Sequence, residues 1–150
     1  METIEEVQTM ETRKTIKGTK QEFVNIFNGL HGVQDLKGKK FSLVVSKNIS
    51  IIQEALKDLE KAGKPSKEFM VIAEQVNKIA SSMPEEEAKK QIDTVEKENK
   101  KLVDARRKQM EKVEKMMLKS IELELQIISE NFLPEDITAK QLNQIIKIIE

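Results

Sequence analysis

The chain changes its period near residue 120, and that change limits the folds open to it. From about 84 to 118, Lys, Glu, Asp and Arg recur at helical spacing; in "SIELELQII", 120 to 128, Ile121, Leu123, Leu125 and Ile127 alternate with polar residues. A period of 3.6 lines one stripe of a helix, whereas a period of 2 lines one face of a strand. Read as a helix, the stretch aligns Met117, Ile121, Leu125, Ile128 and Phe132 but leaves Leu123 and Ile127 off the stripe. Read as a strand, it gathers 121, 123, 125 and 127 and omits only Ile128. The strand reading accounts for more of the apolar residues. A lone strand cannot satisfy its backbone, and the best partner is the Thr- and Val-containing "EEVQTMETRKTI", 5 to 16, ahead of the first helix. Pairing the two brings both terminal regions into a small antiparallel ribbon that must pack on helices to be stable.

The rest reads as helix. Thr19 and Glu22 form a T-x-x-E capping box before Phe23, Ile26, Phe27 and Leu30, which predicts a helix over about 20 to 30 closing at "NGLHG". After a loop with two glycines, Phe41, Val44, Val45, Asn48, Ile52, Ala55, Leu56 and Leu59 mark a second helix ending at Gly63, with Pro65 beyond. Ser66 can cap a third helix carrying Phe69, Ala73, Val76, Ile79 and Ala80. Ser82 and Glu85 then form an S-x-x-E box, with Pro84 in a first turn and three glutamates at the helix start.

The charged helix, 84 to 118, places Glu85/Lys89, Glu86/Lys90, Asp93/Lys97, Glu96/Lys100 and Glu111/Lys115 in the favourable i, i+4 order. Its apolar seam is thin, because Asn99, Arg106 and Gln109 interrupt Ile92, Val95, Leu102, Val113 and Met116. Such a helix rests one narrow face on helices two and three; an intermolecular coiled coil is the alternative. After Pro134, Thr138 with Gln141 caps a final helix apolar at Leu142, Ile145, Ile146 and Ile149. The fold class is therefore mainly α. We expect an antiparallel helical hairpin or bundle with a long charged helix and a two-stranded antiparallel β element formed by the N-terminal and 120–128 segments. One domain spans 1–150: a strand or arm (1–18), three short helices (19–83), the charged helix (84–118), then strand, turn and helix (119–150).

Chemistry is sparse. Twenty-six Lys and Arg balance 26 Asp and Glu, so no net field draws the chain to nucleic acid or anionic lipid. Cysteine is absent, which excludes disulfides, thiolate catalysis and Cys-based metal sites. Trp and Tyr are also absent, which leaves five Phe, mostly at core-like positions, for any base stacking. The N-terminus lacks an apolar leader stretch, and nothing approaches the roughly 18 apolar residues of a membrane span. His31 is the sole histidine and reads as part of a helix-ending turn. No phosphate-cradling glycine motif is present, "KGKK" at 37 to 40 being too short and lacking a strand before it. The glutamates 85 to 87 are explained by helix-dipole stabilisation, and "LPED" is a turn rather than a metal loop. The densest basic patch, "DARRKQ" with Lys100 and Lys101, has acids on both sides and reads as a solvated face, with phosphate contact the sharper alternative. We therefore expect no enzyme, no cofactor and no metal site.

Two stretches carry a resemblance. "KFSLVVSKNI", with Lys40, Phe41, Ser42, Lys47, Asn48 and Ile49, and "LPEDIT", Leu133 to Thr138, flank the charged helix and the alternating strand. In this arrangement, over most of 20–150, the chain resembles an uncharacterised family of small tailed-bacteriophage proteins. The resemblance implies a phage origin, a strand before the first helix and no known enzyme activity. Physically, Phe41, Val44, Val45 and Asn48 read as core packing, and a buried Asn48 requires a hydrogen-bond partner.

The functional expectation is a non-enzymatic phage protein acting by protein–protein contact, as a minor virion component or a virion-assembly accessory. It would reside in the host cytoplasm or be incorporated in the virion. Its partners would be phage structural or assembly proteins, or a second copy. A phage-encoded adaptor or inhibitor that captures a host protein with the charged helix is the competing reading. Candidate partner-binding residues are Ile121, Leu123, Leu125 and Ile127 on the strand, and Ile145, Ile146, Ile148 and Ile149 at the end. They would act by strand addition or helix docking.

Overall fold

The computed structural model describes residues 12–150. Its elements are β1 (Arg13–Thr19), α1 (Lys20–Val33), α2 (Lys39–Ala55), α3 (Lys57–Gly63), α4 (Lys67–Ser82), α5 (Glu85–Glu98), α6 (Lys100–Met117) and β2 (Ser120–Gln126). A 3₁₀ turn (Glu130–Phe132), α7 (Ala139–Gln144) and a second 3₁₀ turn (Ile146–Ile148) complete the chain. The fold is mainly helical with one small two-stranded antiparallel sheet. The chain divides into two compact units, Met1–Asp58 with Met117–Glu150, and Leu59–Met116.

In the first unit, the alternating stretch is a strand. β2 pairs with β1 so that Ile16 lies opposite Leu123 and Lys14 opposite Leu125. The partner comes from the expected 5–16 segment, of which residues 12 to 16 join the ladder; residues 5 to 11 lie outside the described residues. Backbone bonds from Ile127 to Thr12 (3.0 Å) and from Lys20 to Lys119 (2.9 Å) lengthen the ladder at both ends. Leu125, Ile127 and Ile16 are buried against the helices.

Thr19 caps α1 by accepting the Glu22 N–H at 3.2 Å. The helix buries Phe23, Ile26, Leu30 and Val33 and runs through Gly29 and Gly32, past the end expected at residue 30. Gly29 serves a close approach rather than a stop: a Cβ there would lie 2.7 Å from Gln144 Cβ, in α7. Gly38 precedes α2 at φ 143°, a conformation that favours glycine. α2 then buries Phe41, Val44, Val45, Asn48 and Ile52 and stops at Ala55. The helix expected to continue to Gly63 is interrupted at Leu56 (φ −102°, ψ 11°) and resumes as α3.

The C-terminal segment departs further from expectation. Thr138 and Gln141 make the full reciprocal capping box, but α7 has only six residues. A 3₁₀ turn follows, whose three-residue period turns Ile145 and Ile148 to the same side, and both are fully buried. The last residues then run parallel to the end of β2. Ile128 donates to Ile148 (2.8 Å), Glu150 to Ile128 (2.9 Å) and Glu130 to Glu150 (3.1 Å).

In the second unit, α4 and α5 pack together across a two-residue connection, Met83 and Pro84, which makes them antiparallel neighbours. Ser66 caps α4 by accepting the Phe69 N–H at 3.1 Å. The Ser82 box does not form: Ser82 belongs to α4 and donates to Lys78 O at 2.6 Å, and Pro84 begins α5 without a side-chain cap. The single charged helix expected over 84–118 is two helices. Asn99 breaks it at φ −118°, ψ 32°, and its carboxamide returns to Val95 O at 2.8 Å, competing with the helical ladder. Glu85 and Lys89 form one of the expected pairs, at 3.9 Å.

The other two seam interruptions cap a helix end. Arg106 donates to Gly63 O (2.8 Å), and Gln109 donates to Ala62 O (2.8 Å) and Lys64 O (2.6 Å), supplying partners for the open carbonyls at the end of α3. Arg106 also lies over the Phe69 ring, 5.6 Å from its centroid.

Candidate interaction surface

The eight expected partner-binding residues do not share one surface. Leu125, Ile127, Ile145 and Ile148 are buried in the first unit, which corrects the expectation that they present an adhesive face. Ile121, Leu123 and Ile149 are half-buried. Ile146 alone among the eight is exposed, at 55%.

The edge of β2 is also largely occupied. In the ladder, Ile127 and alternate residues before it turn their backbone groups towards β1, so Gln126, Glu124 and Glu122 turn theirs away. Asn48 on α2 meets Gln126 there: its Nδ2 donates to Gln126 O at 2.9 Å, and its Oδ1 accepts from Gln126 N at 2.8 Å. The carboxamide behaves like the backbone of a third strand. The C-terminal residues take up the next outward position, Ile128. Residues Glu122 and Glu124 remain as exposed, acidic positions on that edge, and charge on an edge opposes strand addition.

Ile146 instead stands in a cleft. Between α1 and the C-terminal segment lies a space of about 460 Å³ lined by Glu22, Asn25, Asn28, Asn143, Gln144 and Ile146, among others. Lys147 closes one side through an ion pair with Glu22 at 2.9 Å. Four carboxamides offer donors and acceptors without net charge, and the exposed isoleucine offers an apolar anchor. That combination suits a polypeptide segment, whose backbone needs amide partners and whose side chain needs an apolar seat. Sequence reasoning missed Asn25, Asn28, Asn143 and Gln144; the signal was present in Asn25 and Asn28, three apart on α1 and outside its apolar stripe.

A second groove, about 380 Å³, is lined by His31, Gln34, Ser42, Val45, Ser46, Ile49 and Ser50. His31 lies in the last turn of α1, edge-on to Phe27 with centroids 4.5 Å apart. Among the described residues, no group of three or more His, Cys, Asp or Glu is placed to hold a metal ion. No helix among them is long and apolar enough to cross a membrane. The basic patch loses Arg106 to the α3 carbonyls and Arg107 to Asp104 at 3.5 Å.

The stretches "KFSLVVSKNI" and "LPEDIT" both lie in the first unit. Lys40 lies 4.2 Å from the centroid of the Phe132 ring, next to Leu133. Phe41 and Asn48 are buried. Compared with models of known protein families, with curated protein sequences and with solved structures, the chain matches none.

Proposed function

We propose that this is a non-enzymatic phage protein that acts by protein–protein contact, as a minor virion component or virion-assembly accessory, through the cleft at Ile146. The observation that carries the reading is the contrast within one isoleucine run. Ile145 and Ile148 are fully buried, whereas Ile146 projects beside four carboxamides. What supports a peptide partner is the pairing of the two features in one cleft: the isoleucine can seat an apolar side chain while the carboxamides bond to the backbone beside it. The phage assignment rests on "KFSLVVSKNI" and "LPEDIT". Both stretches supply residues that hold the first unit together, in keeping with motifs that preserve a shape.

The test is affinity capture of the tagged full chain from infected cells, alongside an Ile146→Glu variant. Capture of phage structural or assembly proteins by the wild type, lost in the variant, is the expected result. Capture of host proteins alone supports the adaptor reading and overturns this one.

A further inference from the structure

We propose that the second unit, Leu59–Met116, pairs with the same unit of a second copy, α5 of one chain lying against α6 of the other in antiparallel fashion about the Asn99 break.

The first observation is charge. α5 carries six acids, Glu85, Glu86, Glu87, Asp93, Glu96 and Glu98, against three lysines. α6 reverses the balance, with seven bases, among them Lys101, Arg107, Lys108 and Lys112, against Asp104, Glu111 and Glu114. α4, which packs on α5, brings Lys67 and Lys78 against Glu68 and Glu74 and so offers no opposing field. The zero net charge of the whole chain conceals two consecutive helices of opposite sign. A two-fold axis at the break sets each acidic helix against the other copy's basic one; a parallel arrangement sets like against like. Identical surfaces that complement each other in this way make a closed dimer.

The second observation is burial. In this unit Leu59, Ile72, Ala88, Val95 and Val113 are buried. On the two pairing helices, Ile92 of α5 and Leu102 and Val103 of α6 are only half-covered, and Met110 of α6 is exposed. The thin seam thus has apolar side chains to contribute to a partner. The inference is independent of the cleft at Ile146, which lies in the other unit.

The experiment is sedimentation equilibrium of the full chain, from about 1 to about 100 µM, a range spanning micromolar pairing. Two variants reverse exposed charges: E86K/D93K/E96K on α5, and K101E/K108E/K112E on α6. The wild type is expected to dimerise. Lengthening the salt series until the Debye length falls from about 10 Å to about 3 Å is expected to weaken the dimer about tenfold. Each variant alone is expected to be monomeric, because both its helices then carry one sign, and an equimolar mixture is expected to recover a mixed dimer. Recovery also shows that both variants are folded; should helicity fall in either, the neutral variant E86Q/D93N/E96Q is expected to weaken pairing at unchanged helicity. A monomeric wild type, variants that dimerise as well as the wild type, or a helical mixture that stays monomeric would each overturn the proposal.

Discussion

Asn48 and Gln126, 78 residues apart, exchange two hydrogen bonds, 2.9 Å from the Asn48 amide to the Gln126 carbonyl and 2.8 Å from the Gln126 N–H to the Asn48 oxygen. Asn48 is fully buried, so this carboxamide stands where a third strand would otherwise satisfy the sheet edge. One side chain of α2 thereby fixes the position of β2.

Replacing Asn48 by Leu removes both partners of Gln126 and leaves a buried N–H and C=O unpaired. Each orphaned group costs about 1–3 kcal/mol, so urea unfolding should show a loss of about 2–6 kcal/mol. An unchanged midpoint would show that water or another group can reach the edge.

Two glycines on α1 should respond in opposite ways. Gly29→Ala forces a Cβ to within 2.7 Å of Gln144 Cβ, and such overpacking costs about 1–3 kcal/mol. Gly32 has only Gln144 Oε1 nearby, at 3.9 Å. There the alanine gains helix propensity of about 0.5–1 kcal/mol. Thermal melts of the two variants should therefore shift in opposite directions from the wild type.

Gln109→Ala uncovers the carbonyls of Ala62 and Lys64. The expected cost is about 1–3 kcal/mol, two neutral hydrogen bonds at about 0.5–1.5 kcal/mol each. Hydrogen exchange should report it locally, as faster exchange of the amides of residues 60 to 64, with α1 and α2 unaffected.

Thr138→Ala breaks the capping box that starts α7. About 1 kcal/mol should be lost. Because Asn143, Gln144 and Ile146 follow directly from this cap, partner capture should weaken along with stability. Ile146→Glu changes an exposed side chain and should abolish capture with stability within about 0.5 kcal/mol of the wild type.

The alternation of Ile121, Leu123, Leu125 and Ile127 was enough to read a strand, because a two-residue period has no helical equivalent. Asn48 was visible as the polar residue on an apolar stripe, and Thr138 with Gln141 as a cap. Most of what escaped the sequence depended on tertiary context, and one break was local. Asn99 stands among charges that support a helix on either side, and its return bond to Val95 is a local choice no spacing reveals. Arg106 and Gln109 looked like defects in a seam because their partners, the carbonyls of Ala62 to Lys64, lie more than forty residues earlier. The closing isoleucines gave no period to separate Ile145 and Ile148, which fill the core, from Ile146, which does not. That distinction decides the candidate surface. It came from the six-residue length of α7 and the 3₁₀ turn behind it, features set by the pairing of the chain's end with Ile128.

A contact with a phage partner at Ile146, as proposed, would leave a covalent trace at that position. The most direct measurement places a photo-crosslinking amino acid at position 146 of the full chain in infected cells, irradiates them, and identifies the adducts by mass spectrometry. A discrete adduct with a phage-encoded structural or assembly protein, absent when the crosslinker stands at exposed Ser81 in the second unit, is the predicted result. No adduct at 146, or adducts with host proteins alone, would contradict the account.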